Sequence, residues 1–444
     1  MTRTLAALLL AVVFPWPLPA QPAPIRLTLA EAIARGFATS HRLAEGRARE
    51  QGAQAVVRGA QVADRPTVTA SAGYTRTNHV PEFAFGTGAA RTVVYPDIPN
   101  NVASRLSFQW PIYTSGRVDA LERAATAEAQ AVAADITTTR ADLRLEIVRA
   151  YWAAATAREA VRVLEESSAR ADAQLRDARQ RFEVGLVPPN EVSSLEAQRS
   201  REQAQLIEAS NLRESTLIDL RRLIGADPET VVELADALDP GATSASGAGS
   251  AADSTALIRE AFDQRPERKA LTLRLGGVEA RQQAALTGNK PVVAVGGGVD
   301  YAHPNQRIFP RRGEWQESWD VSVNVSWNFF DSGRTKAQVA EAAAAAAATR
   351  ERLAEFDSVV SADVRQRLLD LDSSRAIVNA ASDAVRSAAE ARRVIGDRFA
   401  AGVATSTDVV VAQVAMLETD LARTRALAGV RLAEARLHRA LGRP

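Results

Sequence analysis

Cysteine is missing from all 444 residues. Its absence excludes disulfides, cysteine-ligated zinc, iron–sulfur clusters and thiol catalysis, and it leaves no acceptor for an N-terminal lipid. Histidine is scarce: His41, His79, His303 and His438 stand far apart, and no two have metal-ligand spacing. An excess of one charge is also lacking. Fifty-four Lys and Arg stand against 53 Asp and Glu, so no basic field exists to hold nucleic acid. There is no Walker-type loop, no GxSxG elbow and no HExxH helix. The run Gly296-Gly297-Gly298 opens no helix, as a nucleotide loop would. No cofactor, metal or catalytic constellation is expected, and the chain does not read as an enzyme.

Long apolar runs are missing too. Arg3, the apolar stretch Leu5 to Phe14, then Pro15, Pro17, Pro19 and Ala20 read as a secretory signal over residues 1–20. That stretch is shorter than the about 20 apolar residues of a spanning helix, and no later segment reaches that length without charges. The chain is therefore expected to be exported, without a helical anchor.

What the sequence does contain is a duplication. Ser115-Gly116-Arg117 recurs as Ser332-Gly333-Arg334, and the same shift of 217 carries Trp110 onto Trp327, Phe182 onto Phe399, Gly185 onto Gly402, Glu191 onto Asp408 and Gly225 onto Gly442. Rare residues kept in step without a gap mark two repeats, 21–236 and 254–444. The Gly-, Ser- and Ala-rich stretch 237–253 between them reads as a linker.

Between Gly116 and Gly185 there is neither glycine nor proline, and the second copy has none from Arg334 to Gly396. A helix of that length is a rod of roughly 100 Å. Small apolar residues step along it at spacings of three and four, from Val118, Leu121, Ala125, Ala129 and Val132 through Leu143, Ile147, Ala154, Val161 and Leu164 to Leu175, Ala178 and Phe182. This is a coiled-coil seam with stutters. Gly185 and Gly402 end the rods. Asn190 and Thr407 are the expected caps of return helices near Glu191–Ile224 and Asp408–Leu441, with Glu191 and Asp408 in their first turns.

The other end of each rod meets a strand pair. Thr67–Thr75, Arg105–Ile112, a strand around Val293–Tyr301 and Trp319–Phe329 alternate apolar with small polar residues. Alternation over about ten residues, bounded by aromatics, is the pattern of a membrane β-barrel. Tyr74, Tyr301 and Trp319 mark one expected interface with outer-membrane lipid; Trp110, Trp327 and Phe329 mark the other. Four strands cannot close a barrel by themselves, and lipid cannot satisfy their edges, so an oligomer is expected. A dimer gives eight strands and a trimer twelve, and the small polar inward residues fit the open trimer better.

These features together resemble the TolC-type outer-membrane efflux proteins, also called outer membrane factors. The resemblance runs from Leu27 to the end of the chain. It rests on Leu29-Ala30-Glu31-Ala32-Ile33-Ala34, on Trp110–Arg117 with its repeat Trp327–Arg334, and on the turns Arg181-Phe182-x-x-Gly185 and Arg398-Phe399-x-x-Gly402. It implies a mainly α fold with a small β part: long antiparallel helical hairpins forming an α-barrel tunnel, and four transmembrane strands per protomer that close a twelve-stranded barrel in a homotrimer. It implies a channel-tunnel of a tripartite efflux or type I secretion system in the bacterial outer membrane, extending into the periplasm. The partners implied are a periplasmic adaptor (membrane fusion) protein and, indirectly, an inner-membrane pump. On matching positions, Glu191 and Asp408 become the periplasmic gate, and Gly185, Leu186, Val187, Gly402, Val403 and Ala404 become the adaptor-contact tips. The tyrosine, the arginine and the second acid found at the tip in the family fall on Phe399, Ala404 and Val411, so those polar latch bonds cannot form here. A periplasmic adaptor and a coiled-coil surface protein stand as alternatives. An adaptor would carry one hairpin and a soluble β-domain, and a surface stalk would lack return helices.

Overall fold

The computed structural model describes residues 25–238 and 251–443. In chain order the elements are β1 (Ile25–Leu27), α1 (Leu29–Thr39), α2 (His41–Gln61), β2 (Thr67–Arg76), β3 (Phe83–Phe85), β4 (Thr92–Tyr95), β5 (Asn100–Tyr113), α3 (Arg117–Glu183), α4 (Pro189–Ile224), β6 (Val232–Leu234), α5 (Ala251–Gln264), α6 (Pro266–Ala285), β7 (Val292–His303), β8 (Gln316–Ser326), α7 (Arg334–Ala400) and α8 (Ser406–Leu441). The expected signal segment 1–20 and most of the expected linker 237–253 lie outside the described residues.

The two breaker-poor runs fold as α3 and α7, each of 67 residues, and their return helices α4 and α8 each have 36. Both long helices start from the same turn. Ser115 and Ser332 hold φ of 54°, followed by Gly116 at 80° and Gly333 at 88°. A serine tolerates this left-handed geometry only at a cost, and the glycine beside it supplies the second positive φ. Asp331 reinforces the second copy: its carboxylate accepts from the Gly333 and Thr335 backbone N–H groups at 3.1 and 2.8 Å. Gly396, the first glycine after Arg334, lies inside α7, which runs on to Ala400 and ends just before the expected Gly402.

The expected seam holds along the second half of α3. Leu143, Ile147, Ala154, Ala157, Val161, Leu164, Ala171, Leu175 and Ala178 are all buried. Along the first half it is out of phase. Ala120, Ala124, Ala131 and Ala134 are the buried residues there, and Leu121 is exposed. Alanine lines several faces of this stretch, so small residues give no contrast by which a phase can be read. Ala131 and Ala134 pack on Ala270 and Leu273 of α6, an element the periodicity of α3 does not specify.

The chain divides into two compact units, and each draws on both repeats. The first comprises residues up to 40, 142–249 and 367–439. Here β1 and β6 form a parallel pair, with Ile25 opposite Val232 and Leu27 opposite Leu234. The pair is tied to α3 by Tyr151, which is fully buried. The Tyr151 hydroxyl lies 2.8 Å from Asp236 Oδ2 and 3.0 Å from the Leu27 carbonyl oxygen, and accepts from the Asp236 backbone N–H at 3.2 Å. The same Asp236 oxygen accepts from the Leu29 backbone N–H at 2.8 Å, at the start of α1. Burial is the main reason the Tyr151 phenol is pushed up to about 12. Further along, Val163 and Leu164 pack on Leu417, with Leu206 and Leu421 around them. This brings α3, α4 and α8 together.

The second unit comprises residues 41–141, 250–366 and 440–444. It carries the four-stranded antiparallel sheet, in the order β2-β5-β7-β8. A separate hairpin, β3–β4, lies in the connection between β2 and β5. Here the expected fold class needs correction. The structure is mainly helical with a small antiparallel sheet, and among the described residues no sheet closes into a barrel; β2 and β8 end the sheet as free edges. The strands follow from alternation and aromatic positions, which fix the faces of a sheet without fixing its closure, and the twelve-stranded closure was what the resemblance implied. No described helix is long and apolar enough to cross a membrane.

Replacing Tyr151 by Phe removes one hydroxyl from a fully buried site and leaves its partners without it. The variant is expected to lose about 1–3 kcal/mol of stability. Urea unfolding of the purified variant, with an unchanged m-value, checks this.

Candidate functional site

The helix tips are built twice from the same local chemistry. In the first, Gly185 donates its N–H to the Phe182 carbonyl at 2.9 Å and Leu186 donates to Arg181 at 2.8 Å. In the second, Gly402 donates to Phe399 at 3.0 Å and Val403 to Arg398 at 2.9 Å. This paired pattern is a Schellman motif, and it needs a left-handed residue just past the helix. Gly185 and Gly402 both supply it, each at φ of 74°. The turns hold their apolar side chains in the open: Leu186 is 74% exposed and Val403 66%. Val187 and Ala404 are half-buried, and both glycines are exposed.

The return helices are capped differently from each other and from expectation. Thr405, not Thr407, caps α8. Its hydroxyl accepts from the Asp408 N–H at 3.3 Å, while the Asp408 carboxylate accepts from the Thr405 N–H at 2.9 Å. This is a capping box. The bonds from Thr405, backbone first and hydroxyl second, hold the Asp408 carboxyl below the usual aspartate range. In the first copy Pro188 stands at the cap position, without a side-chain hydrogen bond, and Pro189 opens α4. Glu191 sits in that first turn, half-buried. The two acids therefore occupy one repeat position in two electrostatic settings.

One contact at the tips was not foreseen from the sequence. The Arg181 guanidinium lies over the Phe399 ring, 5.2 Å from its centroid. The end of α3 is thereby tied to the end of α7. The signal in the sequence is the Arg-Phe dipeptide that both turns share.

In the sheet, register sets two faces. On one, Tyr74, Val102 and His303 follow one another across β2, β5 and β7, and Val299 stands opposite Trp319. Farther along, Trp110 is opposite Val295, and Val295 is opposite Val323. This face is apolar and open: Tyr74, Tyr301, Trp319, Val321, Val323 and Val325 are all exposed. Tyr74, Tyr301 and Trp319 lie toward one end of the ladder and Trp110 toward the other, while Trp327 and Phe329 follow the last residue of β8. The Trp327 indole N–H donates to the Asn289 carbonyl at 2.9 Å.

The other face is not merely small and polar. Arg105 on β5 reaches Asp300 on β7 at 2.5 Å and Asp320 on β8 at 2.9 Å. Arg307, from the β7–β8 connection, reaches Asp320 at 2.7 Å and Asp300 at 3.5 Å. The glycine run now has a physical reason. A Cβ on Gly298 would stand 2.9 Å from the Arg105 guanidinium, and one on Gly297 would stand 2.7 Å from the Phe108 ring. The run makes room for a charge on one face and an aromatic ring on the other. Arg105, Asp300 and Asp320 interrupt the otherwise uncharged alternation of the expected strands, and that interruption could have flagged the cluster.

A four-stranded sheet with one open apolar face stands with two helical hairpins of 67 and 36 residues that end in exposed glycine turns. The sequence profile described as outer membrane efflux protein matches residues 34–226 and 257–443, and the chain belongs to that family. Among curated relatives, outer membrane protein TolC of Vibrio cholerae is 28% identical over 291 residues, 64% of this chain and 64% of that protein. Protein CyaE of Bordetella pertussis is 27% identical over 352 residues, 79% of this chain and 70% of the relative. The match to the first of these thus spans less than two thirds of its length. Among solved structures, the outer membrane protein VceC of Vibrio cholerae shares the fold, with a TM-score of 0.76 at 20% identity over 93% of this chain and 96% of that one. The chain resembles the TolC-type channel-tunnels of tripartite efflux and secretion systems, which are not enzymes. It is a bacterial outer-membrane protein that extends into the periplasm.

Two outcomes follow. In Thr405→Ala the Asp408 carboxyl should titrate upward, toward the about 4 of a free aspartate. Because its folded value is lowered, the contribution of Asp408 to stability is present above that usual value and is lost as pH falls through the lowered one. Carbon NMR of labelled aspartate reads both. Arg105→Ala leaves Asp300 and Asp320 facing each other with only Arg307 between them, and should lower the thermal midpoint. Arg105→Lys should restore part of the loss, since one ammonium cannot fork between two carboxylates.

Proposed function

We propose that this chain is the outer-membrane channel-tunnel of a tripartite efflux or type I secretion system, working as a homotrimer. It would give substrates passive exit from a periplasmic adaptor and its inner-membrane pump to the exterior. The single observation that carries this reading is the pair of equal hairpins ending in identical, solvent-exposed glycine turns. An apolar turn held out in water at the end of a long hairpin favours a protein partner at that point. The adaptor is assigned to Gly185, Leu186, Val187, Gly402, Val403 and Ala404. The aromatics Tyr74, Tyr301, Trp319, Trp110, Trp327 and Phe329 are assigned to the lipid interfaces, where rings with a polar edge are favoured.

The homotrimer has its own support in unpaired surface. Leu369 and Ile377 on α7 are 65% and 54% exposed, and Ile207, Leu212 and Ile218 on α4 are at least as open as Ile377. By the 217-residue shift, Leu369 is the mate of Trp152, which is buried on α3 beside α8. What α3 does with α8 inside one chain, α7 does with α4 of the next copy. A head-to-tail contact of this kind makes a closed ring where the rotation between copies closes, as the proposed trimer requires.

The function is tested by deleting the gene and measuring accumulation of an efflux dye in intact cells. Accumulation should rise, and the full chain should reverse it; unchanged accumulation, together with unchanged protein secretion, counts against the reading. Glu191 and Asp408 are proposed as the gate acids, repeated three times around the tunnel axis. In planar bilayers the double variant Glu191→Gln, Asp408→Asn should lose cation preference relative to the parent. Equal reversal potentials for the two proteins would leave these acids with a capping role only.

A further inference from the structure

The repeat at the tips predicts more than one chain can show. Within the chain, Arg181 at the end of α3 lies over Phe399 at the end of α7. The 217-residue shift maps that pair onto Arg398 and Phe182, and within the chain these two do not form the matching contact. Phe182 is 44% exposed, while its mate Phe399 carries a guanidinium on its face. Both tips share the same turn, with equal glycine φ and the same two backbone hydrogen bonds, so both Arg-Phe pairs leave their helices in the same geometry.

The two arginines differ in one respect. Arg181 has an acid one turn back, Asp177, and bonds it at 3.0 Å. Arg398 has Val394 at that position and makes no such pair one turn back; Asp397 beside it bonds Arg393 at 2.8 Å, and Asp408 across the turn acts on Arg398 through charge alone. A guanidinium over an aromatic face is attractive by the ring quadrupole, and more so where water is partly excluded.

We propose that Arg398 of one copy lies over Phe182 of the next, so that six Arg–Phe contacts, three within chains and three between them, ring the tips of the trimer. The occupant of the exposed Phe182 face is a second copy of this chain, and its recognising group is Arg398. This inference rests on the homotrimer reading, and the test separates the two.

The chain has no cysteine, so introduced thiols report without background. The full-length double variant Phe182→Cys, Arg398→Cys is treated in outer membranes with a short bismaleimide and run on a denaturing gel. A covalent trimer is expected. Arg181→Cys, Phe399→Cys should link within the chain and remain a monomer on the same gel. Native mass is measured on both. A native trimer in which the first pair yields only monomer overturns the Arg398–Phe182 contact and leaves the homotrimer standing; a native monomer overturns both. A second readout does not depend on thiols. Arg398→Ala and Phe182→Leu should each lower the temperature at which the trimer dissociates, and the two together should lower it no further than either alone. Additive losses would mean that the two residues act separately and would overturn the pairing.

Discussion

A helix of 67 residues with a narrow apolar stripe cannot bury that stripe against itself, and the rest of this structure follows from meeting that demand. The return helices α4 and α8 cover part of it, and in the first unit α3 lies against both. Most of the contact is made by alanine, valine and leucine. Each alanine removes little apolar area from water, so the association gains its strength from length and close approach, not from any large side chain. Where a large side chain does appear, as at Tyr151 and Trp152, it meets a particular partner: the β1–β6 pair for Tyr151, and the Arg431 guanidinium, 5.8 Å from the ring, for Trp152.

The duplication gives two tips with one backbone and two chemistries. Both end in the same turn, because glycine is the residue that takes a left-handed φ without a Cβ penalty. Beyond the turn the copies part. Thr405 and Asp408 form a reciprocal box, whereas Pro188 and Pro189 preset the helix entry by restricting φ and leave Glu191 outside any such box. Arg181 shares itself between Asp177 and the Phe399 ring, while Arg398 has no acid one turn back. In the proposed trimer these differences would make alternate contacts around the tip unequal, although the backbone repeats.

The sheet shows the same economy of parts. Its polar face holds an ion-pair cluster of two arginines and two aspartates; Gly298, opposite Ser107, leaves room for the Arg105 guanidinium, and Gly297 leaves room for the Phe108 ring on the other face. Arg307 draws the β7–β8 connection back over that face, helped by Asn305, whose amide donates to the Gln316 carbonyl at 3.0 Å. A reading of alternation alone counts this face as small and polar and misses its charge.

Much of the fold was legible along the chain because its signals are local. A stretch free of glycine and proline specifies a helix; a Ser-Gly pair starts it and a glycine ends it; strict alternation assigns Val321, Val323 and Val325 to one face. The equal lengths of α3 and α7, and of α4 and α8, were visible in the register of Trp110 with Trp327 and Phe182 with Phe399. What the sequence could not determine was anything that depends on which distant surface arrives. The phase of the alanine-rich first half of α3 was set by α6, the pairing of β1 with β6 by Tyr151 and Asp236, the cluster around Arg105 by the strand order β2-β5-β7-β8, and the openness of the sheet by its two unpaired edges. Backbone conformation is decided by a residue and its neighbours, whereas the partner of a side chain is decided by the path of the whole chain, and only the tertiary structure carries that.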